Sequence, residues 1–436
     1  MSASTLTERI AQEFSSAARS LEAHASRRRS ALGALQARGL PTTRDENWKY
    51  ANLRSLERAR FLPASAREPM AAAGDLDLPP ALPGSAARYV FLDGRFAPQA
   101  STTLETAAGT AVLRLLSQGG EDGAAAAAAA PEADGRFALL NDLFATDGLG
   151  IDVRATREAP LQLEVLFLAS AEAQQGSSYP RLELRLRPGT AVTLIERHLS
   201  HGSAASFVTS AVQVDVAAGA RLAHYRLQEL NPRTTLFDTL AARLGADAGY
   251  RLHLISSGAQ SARSTLAVQL AGPRAELALA MLALGERQQV QDAYAVVEHA
   301  APDARTVQTF RGIAAGRARV AFNGKIIVSP AAHGTDSRQS LRGLLAGPEA
   351  EIDVRPQLEI YTDEVRCSHG ATAGKLDDSM LFYLLSRGLD RDAAQRLLKW
   401  AFLEDVISQV NLPALRRQIE ERLAGLLHDE ALRELL

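Results

Sequence analysis

A chain of 436 residues exceeds the roughly 250–300 at which one hydrophobic core stops growing, so two or three domains are expected. Its net charge of −2 lacks the basic excess of a nucleic-acid binder, and 46% apolar with 22% charged residues is ordinary for a water-soluble protein. One cysteine excludes any intramolecular disulfide and leaves a free thiol, which fits a reducing compartment.

The first residues, Met1 to Glu8, lack a basic start followed by an apolar core, so no secretory signal is expected. Arg27-Arg28-Arg29 reads as a solvated helix face rather than a targeting address, since Glu8, Glu13 and Glu22 precede it. No stretch approaches the ~18 uninterrupted apolar residues of a membrane helix, and a cytoplasmic location is expected. Of 48 basic residues only Lys49, Lys325, Lys375 and Lys399 are lysines, and the arginines are scattered. That scatter points to base composition, not to a binding patch.

Residues 4 to 60 read as helical, with Leu6, Ile10, Phe14, Ala18 and Leu21 at helical spacing and a break at Pro41 to Glu46. An Ala/Pro-rich loop follows from about Ala64 to Ala86. Tyr89 to Phe96 reads as a hairpin around Asp93-Gly94. The alanine tract Ala124–Ala130, ended by Pro131, reads as a variable surface connection.

From Gly150 the texture changes to strand period: Leu161, Leu163 and Val165; Leu182, Leu184 and Leu186; Val212, Val214 and Val216; Leu252 and Leu254. Turns recur before these segments, with Gly189, Gly219, Gly245 and Gly272 spaced by 30, 26 and 27 residues, and Ala346 to Glu351 closing the series. A repeat of that length with two or three short strands and no helix suits a β-solenoid, because stacked coils bury faces that no single coil can. A sandwich of similar strands is the competing reading.

Beyond about residue 376 the chain reads as helical again. Leu381, Leu384 and Leu385 begin one segment. Asp390 is a candidate N-cap for a second, running to about Val410 with Ala393, Leu397, Trp400 and Phe402 on its apolar face. Pro413 suits the first turn of a third, carrying Leu415, Ile419, Leu423 and Leu426. Three parts are expected: 1–149, N-terminal and helical; 150–375, the solenoid; and 376–436, C-terminal and helical. Helices at both ends would shield the solenoid's open edges.

Chemistry concentrates at Cys367 and His369. Two residues apart on an extended strand, thiol and imidazole face the same way and suit thiophilic metals such as iron or zinc, or sulfur transfer. A closed site normally needs four ligands, so the rest must come from elsewhere. The parity change between Leu358/Ile360 and Val365/Cys367 places a turn near Thr362 to Glu364. The bland alternative is a buried cysteine acting as a small hydrophobe, with the histidine satisfied by a carbonyl. Asp363 and Glu364 read as turn charges, Lys325 as a hairpin charge, and His224, His253, His299 and His333 as structural. Gly316 and Gly324 make no phosphate loop, because no Gly-Lys-Ser/Thr motif opens a helix there.

Gly324 to Val328, Gly334 to Ser340, Arg355 to Tyr361, Val365 to Thr372 and Leu381 to Gly388 form a continuous block. It resembles the SufB/SufD family of iron–sulfur cluster assembly proteins. Upstream, Glu46 to Tyr50 resembles the Trp-Lys-Tyr signature of the SufD branch, and Phe137 to Asn141 with Asp147-Gly148 resembles the family's entry into its core. SufB-like chains tend to be longer and richer in cysteine, so the single Cys367 and Trp48 favour the SufD branch.

The resemblance implies a right-handed parallel β-helix with helical ends, pairing with SufB, and SufC ATPase bound through the C-terminal helices. It also implies a non-catalytic scaffold, with ATP hydrolysis in SufC, that completes a transient cluster site shared with SufB and assists iron supply. No cluster would be held permanently by the isolated chain. His369 is the stronger candidate ligand and Cys367 the weaker. Unperturbed imidazole is largely neutral at physiological pH, whereas an ordinary thiol needs a metal or a cation such as Arg366 to ionise. Arg387, Arg391, Trp400, Glu404 and Asp405 are candidate SufC contacts. The rival readings are a β-helical carbohydrate-active enzyme and a cysteine hydrolase. The first lacks visible catalytic clusters, and the second would need nucleophile and base adjacent on one strand.

Overall fold

The computed structural model describes residues 3–17, 21, 24–64, 76–104, 111–118, 133–156, 159–170 and 176–427. The alanine tract at 124–130 and part of the Ala/Pro-rich loop lie outside the described residues. The core is a parallel β-solenoid of about seven turns, each turn contributing one strand to each of two facing sheets. One sheet runs from the hairpin Ala87–Leu92/Arg95–Phe96 to Val365–Gly374, the other from Ala111–Leu115 to Glu351–Ile360.

Between the sheets lie the predicted strand residues Leu163, Val165, Leu182, Leu184, Leu186, Val212, Val214, Val216, Leu252 and Leu254, all buried. Each such aliphatic side chain contributes about 1.5–3 kcal/mol when taken from water. The hairpin forms as expected, with Asp93 and Gly94 both left-handed (φ 49° and 80°). Ala87–Leu92 pairs in parallel with Leu161–Ser170, so the solenoid's sheet begins upstream of residue 150.

The repeat differs from the glycine spacing. Ala191, Arg221, Gly249, Glu276, Arg305, Asp336 and Arg366 occupy one column, at intervals of 30, 28, 27, 29, 31 and 30. The left-handed turn position passes through Gly189, Gly219, Asp247, Arg274, Asp303 and Gly334. Gly245 and Gly272 sit two residues before that position, which is why the glycine spacing faltered at 26. At each level the turn N–H donates to the next coil's turn, as from Gly219 to Ala246 (2.9 Å) and Asp247 to Pro273 (2.9 Å). The Ala346 to Glu351 turn lies at the opposite edge, joining the two strands of a coil rather than successive coils. It does not belong to the series.

The helices flank the sheets instead of capping their ends. Helix α1 (Ala3–Ala17), α2 (Ala25–Arg38) and α3 (Arg136–Phe144) cover the outer face of one sheet, where Trp48, Phe137 and Phe237 pack together. Past Arg38 the expected helix reduces to single 3₁₀ turns at Glu46–Trp48 and Arg54–Glu57. The arginine run is not a solvated face. Arg28 is buried and donates to the carbonyls of Leu143 and Ala145 (2.6 and 2.8 Å), the acceptors left over at the end of α3.

Helices α5 (Arg391–Ile407) and α6 (Pro413–Leu426) lie on the outer face of the other sheet, and α4 (Asp378–Ser386) packs against α5. Asp390 caps α5 through Ala393 N–H (2.8 Å), and Pro413 opens α6. The packed face of α5 is Ala394, Leu403, Val406 and Ile407, whereas Leu397, expected to be inside, is 47% exposed. Among the described residues no helix is long and apolar enough to cross a membrane.

Candidate functional site at the open end

Among the described residues Glu351–Ile360 and Val365–Gly374 are edge strands, one in each sheet. An edge strand leaves half of its backbone donors and acceptors available to another chain. The turn between them spans residues 361–364, as the parity change requires. Asp363 and Glu364 are exposed turn charges.

Cys367 and His369 fall on the same face of the final strand. Cys367 is half-buried against the end of the core, while His369 is exposed. The two residues beneath them in register are Ser337 and Gln339, both buried. Burial pushes the Cys367 thiol up, opposed in part by a bond with the Ser337 backbone. Arg366 is not among the groups acting on that thiol, because strand alternation sends it to the opposite face. A cation-activated cysteine is therefore not what the geometry offers. Among the described residues no group of three or more His, Cys, Asp or Glu is placed to hold a metal ion. The pair supplies at most two donors.

The other singled-out residues separate cleanly. Lys325 lies mid-strand, not in a hairpin, and pairs with Glu359 (3.0 Å). Its neighbour Gly324 owes its place to crowding, since a Cβ there would stand 2.7 Å from Gln339 Nε2. Gly316 lies in a turn between strands and opens no helix. His299 bonds Thr306 Oγ1 (2.9 Å), His253 stacks on Tyr225, and His333 sits in a turn.

His224 is part of a buried network that sequence reasoning missed. Glu196 accepts from His198 (2.7 Å), from His224 (3.0 Å) and twice from Arg226, and Arg226 turns its other edge to Asp238. Burial opposes the Glu196 charge, yet Arg226 and the two histidines hold the carboxyl well below its usual range. Burial also lowers His224, so its neutral ring donates to Glu196 and accepts from the Tyr250 hydroxyl (3.0 Å). The only signal available was inward parity: Glu196 follows Val192 and Leu194, as Arg226 follows Leu222 and His224.

On the helical module, Arg387 ends α4 with its guanidinium over the Tyr383 ring (5.1 Å), and Arg391 is exposed at the start of α5. Trp400 is half-buried against the outer sheet face. Asp405 pairs with Arg311 of the sheet (2.8 Å), tying the module to the solenoid, and Glu404 pairs with Arg416, tying α5 to α6. Met380, Phe382 and Tyr383 on α4 are 58%, 72% and 55% exposed, so among the described residues that helix turns an apolar face outward.

Comparison with known proteins agrees with this architecture. Residues 167–402 match the family model described as SUF system FeS cluster assembly, SufBD core domain. The iron–sulfur cluster assembly protein SufD of Escherichia coli K12 is 32% identical over 391 residues, covering 88% of this chain and 89% of that protein. A SufBD family protein of Synechocystis, slr0076, is 28% identical over 405 residues, with 89% and 87% covered. A continuous match across solenoid and helices, together with the two-sheet coil itself, means that the chain belongs to the SufB/SufD family of iron–sulfur cluster assembly proteins, on its SufD side.

Proposed function

We propose that this chain is a scaffold subunit of SUF iron–sulfur cluster assembly, with no turnover of its own, acting in the cytoplasm. Its uncovered last coil docks a second solenoid, SufB, and the pair His369 and Cys367 contributes to a nascent cluster site shared with that partner. The observation that carries this reading is the exposure of His369 on an edge strand with only one further soft donor beside it. An incomplete donor set at an open edge is useful when a neighbour completes it. The cluster and its iron are cargo in this reading, not a resident cofactor, and the chain assists iron supply by presenting imidazole nitrogen at the shared edge. Family membership stands against the glycan-active alternative.

Reconstitution with all partners, scored by iron and sulfide per complex, tests the ligand claim. His369→Ala is expected to cut cluster content severely while SufB and SufC still co-purify, and Cys367→Ser to cut it less. Wild-type iron and sulfide in His369→Ala would remove the claim.

We further propose that SufC docks on the C-terminal helices, with Arg387, Arg391 and Trp400 around the uncovered face of α4, and with Glu404 and Asp405 at its margin. Exposed Met380, Phe382 and Leu397 support that surface. Deleting the module would bare Leu227, Ile255 and Leu282 of the sheet, so point changes are the better probe. Phe382→Asp with Leu397→Asp should abolish SufC retention on an affinity column without unfolding the chain. Undiminished retention would place the dock elsewhere.

A further inference from the structure

Two polar columns run through the interior of the last coils. Thr306, Ser337 and Cys367 stack in one, and Gln308, Gln339 and His369 in the next. Gln339 is 4% exposed, and its Nε2 donates to Gln308 Oε1 (2.9 Å) and to the Gly324 carbonyl (2.9 Å). That orientation is forced, because a backbone carbonyl only accepts and must face the amide nitrogen. Oε1 therefore lies on the other side of the planar amide, and it has no hydrogen-bond partner.

Ser337, fully buried beneath Cys367, likewise has an unpartnered Oγ. Buried polar atoms are normally paired, so two orphans under the two candidate ligands call for a physical account. The arrangement is built into the coil, since a Cβ at Gly324 would strike both glutamine amides, at 2.7 and 2.8 Å. His369 stands next above Gln339, one strand spacing of about 4.8 Å away. An imidazole turned inward from there would bring an N–H to Gln339 Oε1 and would leave its second nitrogen facing out of the open end.

We infer that Gln339 is the positioning residue for His369: its side-chain carbonyl accepts the imidazole N–H, fixes the tautomer and leaves the other ring nitrogen free to take a metal ion. This rests on the ligand reading of His369 and adds the group that orients it. Metal-bound histidines commonly give their second N–H to such an acceptor, and losing it weakens metal binding about 10–100-fold.

The test uses the full chain, Zn²⁺ alone as the probe, and the ring ¹⁵N resonances of His369, assigned by their loss in His369→Ala. In the unaltered protein Zn²⁺ should metallate one ring nitrogen while the other stays protonated. Gln339→Leu should weaken Zn²⁺ binding at His369 by about tenfold or more and mix the tautomers. Gln339→Glu keeps an acceptor under His369, but its second oxygen must carry a proton to face Gln308 Oε1 and the Gly324 carbonyl; in that form it should restore a single tautomer. Should the leucine variant unfold, the single tautomer in the glutamate variant carries the test, and mixed tautomers there overturn the inference. Gln308→Leu breaks the same ladder but retains Gln339 Oε1, so only a small change is expected. An equal loss in both ladder variants would mean mere loosening of the coil and would overturn the inference. Identical shifts and affinity in Gln339→Leu and the unaltered chain would also overturn it, while leaving His369 a ligand. If Zn²⁺ does not metallate His369 in the chain alone, the tautomer ratio without metal decides, and mixed tautomers in the unaltered chain overturn the inference; the ligand reading itself stands or falls on iron and sulfide in the reconstituted complex.

Discussion

The solenoid holds two polar interiors that differ in how they are closed. In its early coils Glu196, His198, His224, Arg226 and Asp238 are buried and linked to one another, and Glu196 accepts four bonds. In its last coils Ser337 and Gln339 are equally buried, yet each keeps an unpartnered oxygen beneath the edge strand Val365–Gly374. The same repeat thus joins its charged groups to one another at one level, where of those five residues only His198 keeps an unpartnered side-chain atom, and leaves two side-chain oxygens unpaired at another. Low local polarity strengthens paired groups and penalises unpaired ones, so breaking the first region is costly, whereas an outside group at the second would satisfy oxygens now unpaired.

The comparison can be broken first at Glu196. Glu196→Ala would leave Arg226 and two histidines without their shared acceptor, and a loss of about 3–5 kcal/mol is expected in denaturant unfolding. A loss below 1 kcal/mol would mean that the early network is not the closed one.

Acid should act next, on two buried histidines outside the Glu196 network. Burial lowers His253 and His299 to about 4, against an ordinary histidine value near 6.5. Their folded-state values are depressed, so the associated stability is present above pH 6.5 and is lost as pH falls from there towards 4. Each contributes on the order of 3 kcal/mol over that window. Unfolding midpoints that stay flat between pH 7 and 4.5 would contradict this.

Gly324→Ala sharpens the other side. Its new methyl would displace the Gln308–Gln339 ladder, with an expected cost of about 1–3 kcal/mol measured by thermal unfolding. The smallest effect belongs to the open edge itself. His369→Ala should change stability by no more than about 0.5 kcal/mol, because its ring is exposed, even though cluster content falls. A large stability loss there would give His369 a structural role.

Much of this architecture was legible in the chain because strands repeat every two residues and coils about every 29. Leu182/184/186 and Val212/214/216 announced inward faces without any partner in view, and Asp390 and Pro413 announced helix starts through local backbone chemistry. Glycine spacing misled, since the left-handed turn position is filled by Asp247, Arg274 and Asp303 as readily as by glycine. Arg28 misled for another reason: whether an arginine faces water depends on which carbonyls a distant helix brings to it.

Sequence alone settled the coil, the pairing of Cys367 with His369 on one strand face and the family, because each depends on residues a few positions apart or on a repeated block. Only the tertiary structure decided that the last coil ends both sheets, that Leu397 faces solvent, and that Gln339 and Ser337 lie beneath the pair. Those facts join residues about 30 positions apart through the register between coils. Register is set by how whole sheets pack, which no local pattern carries.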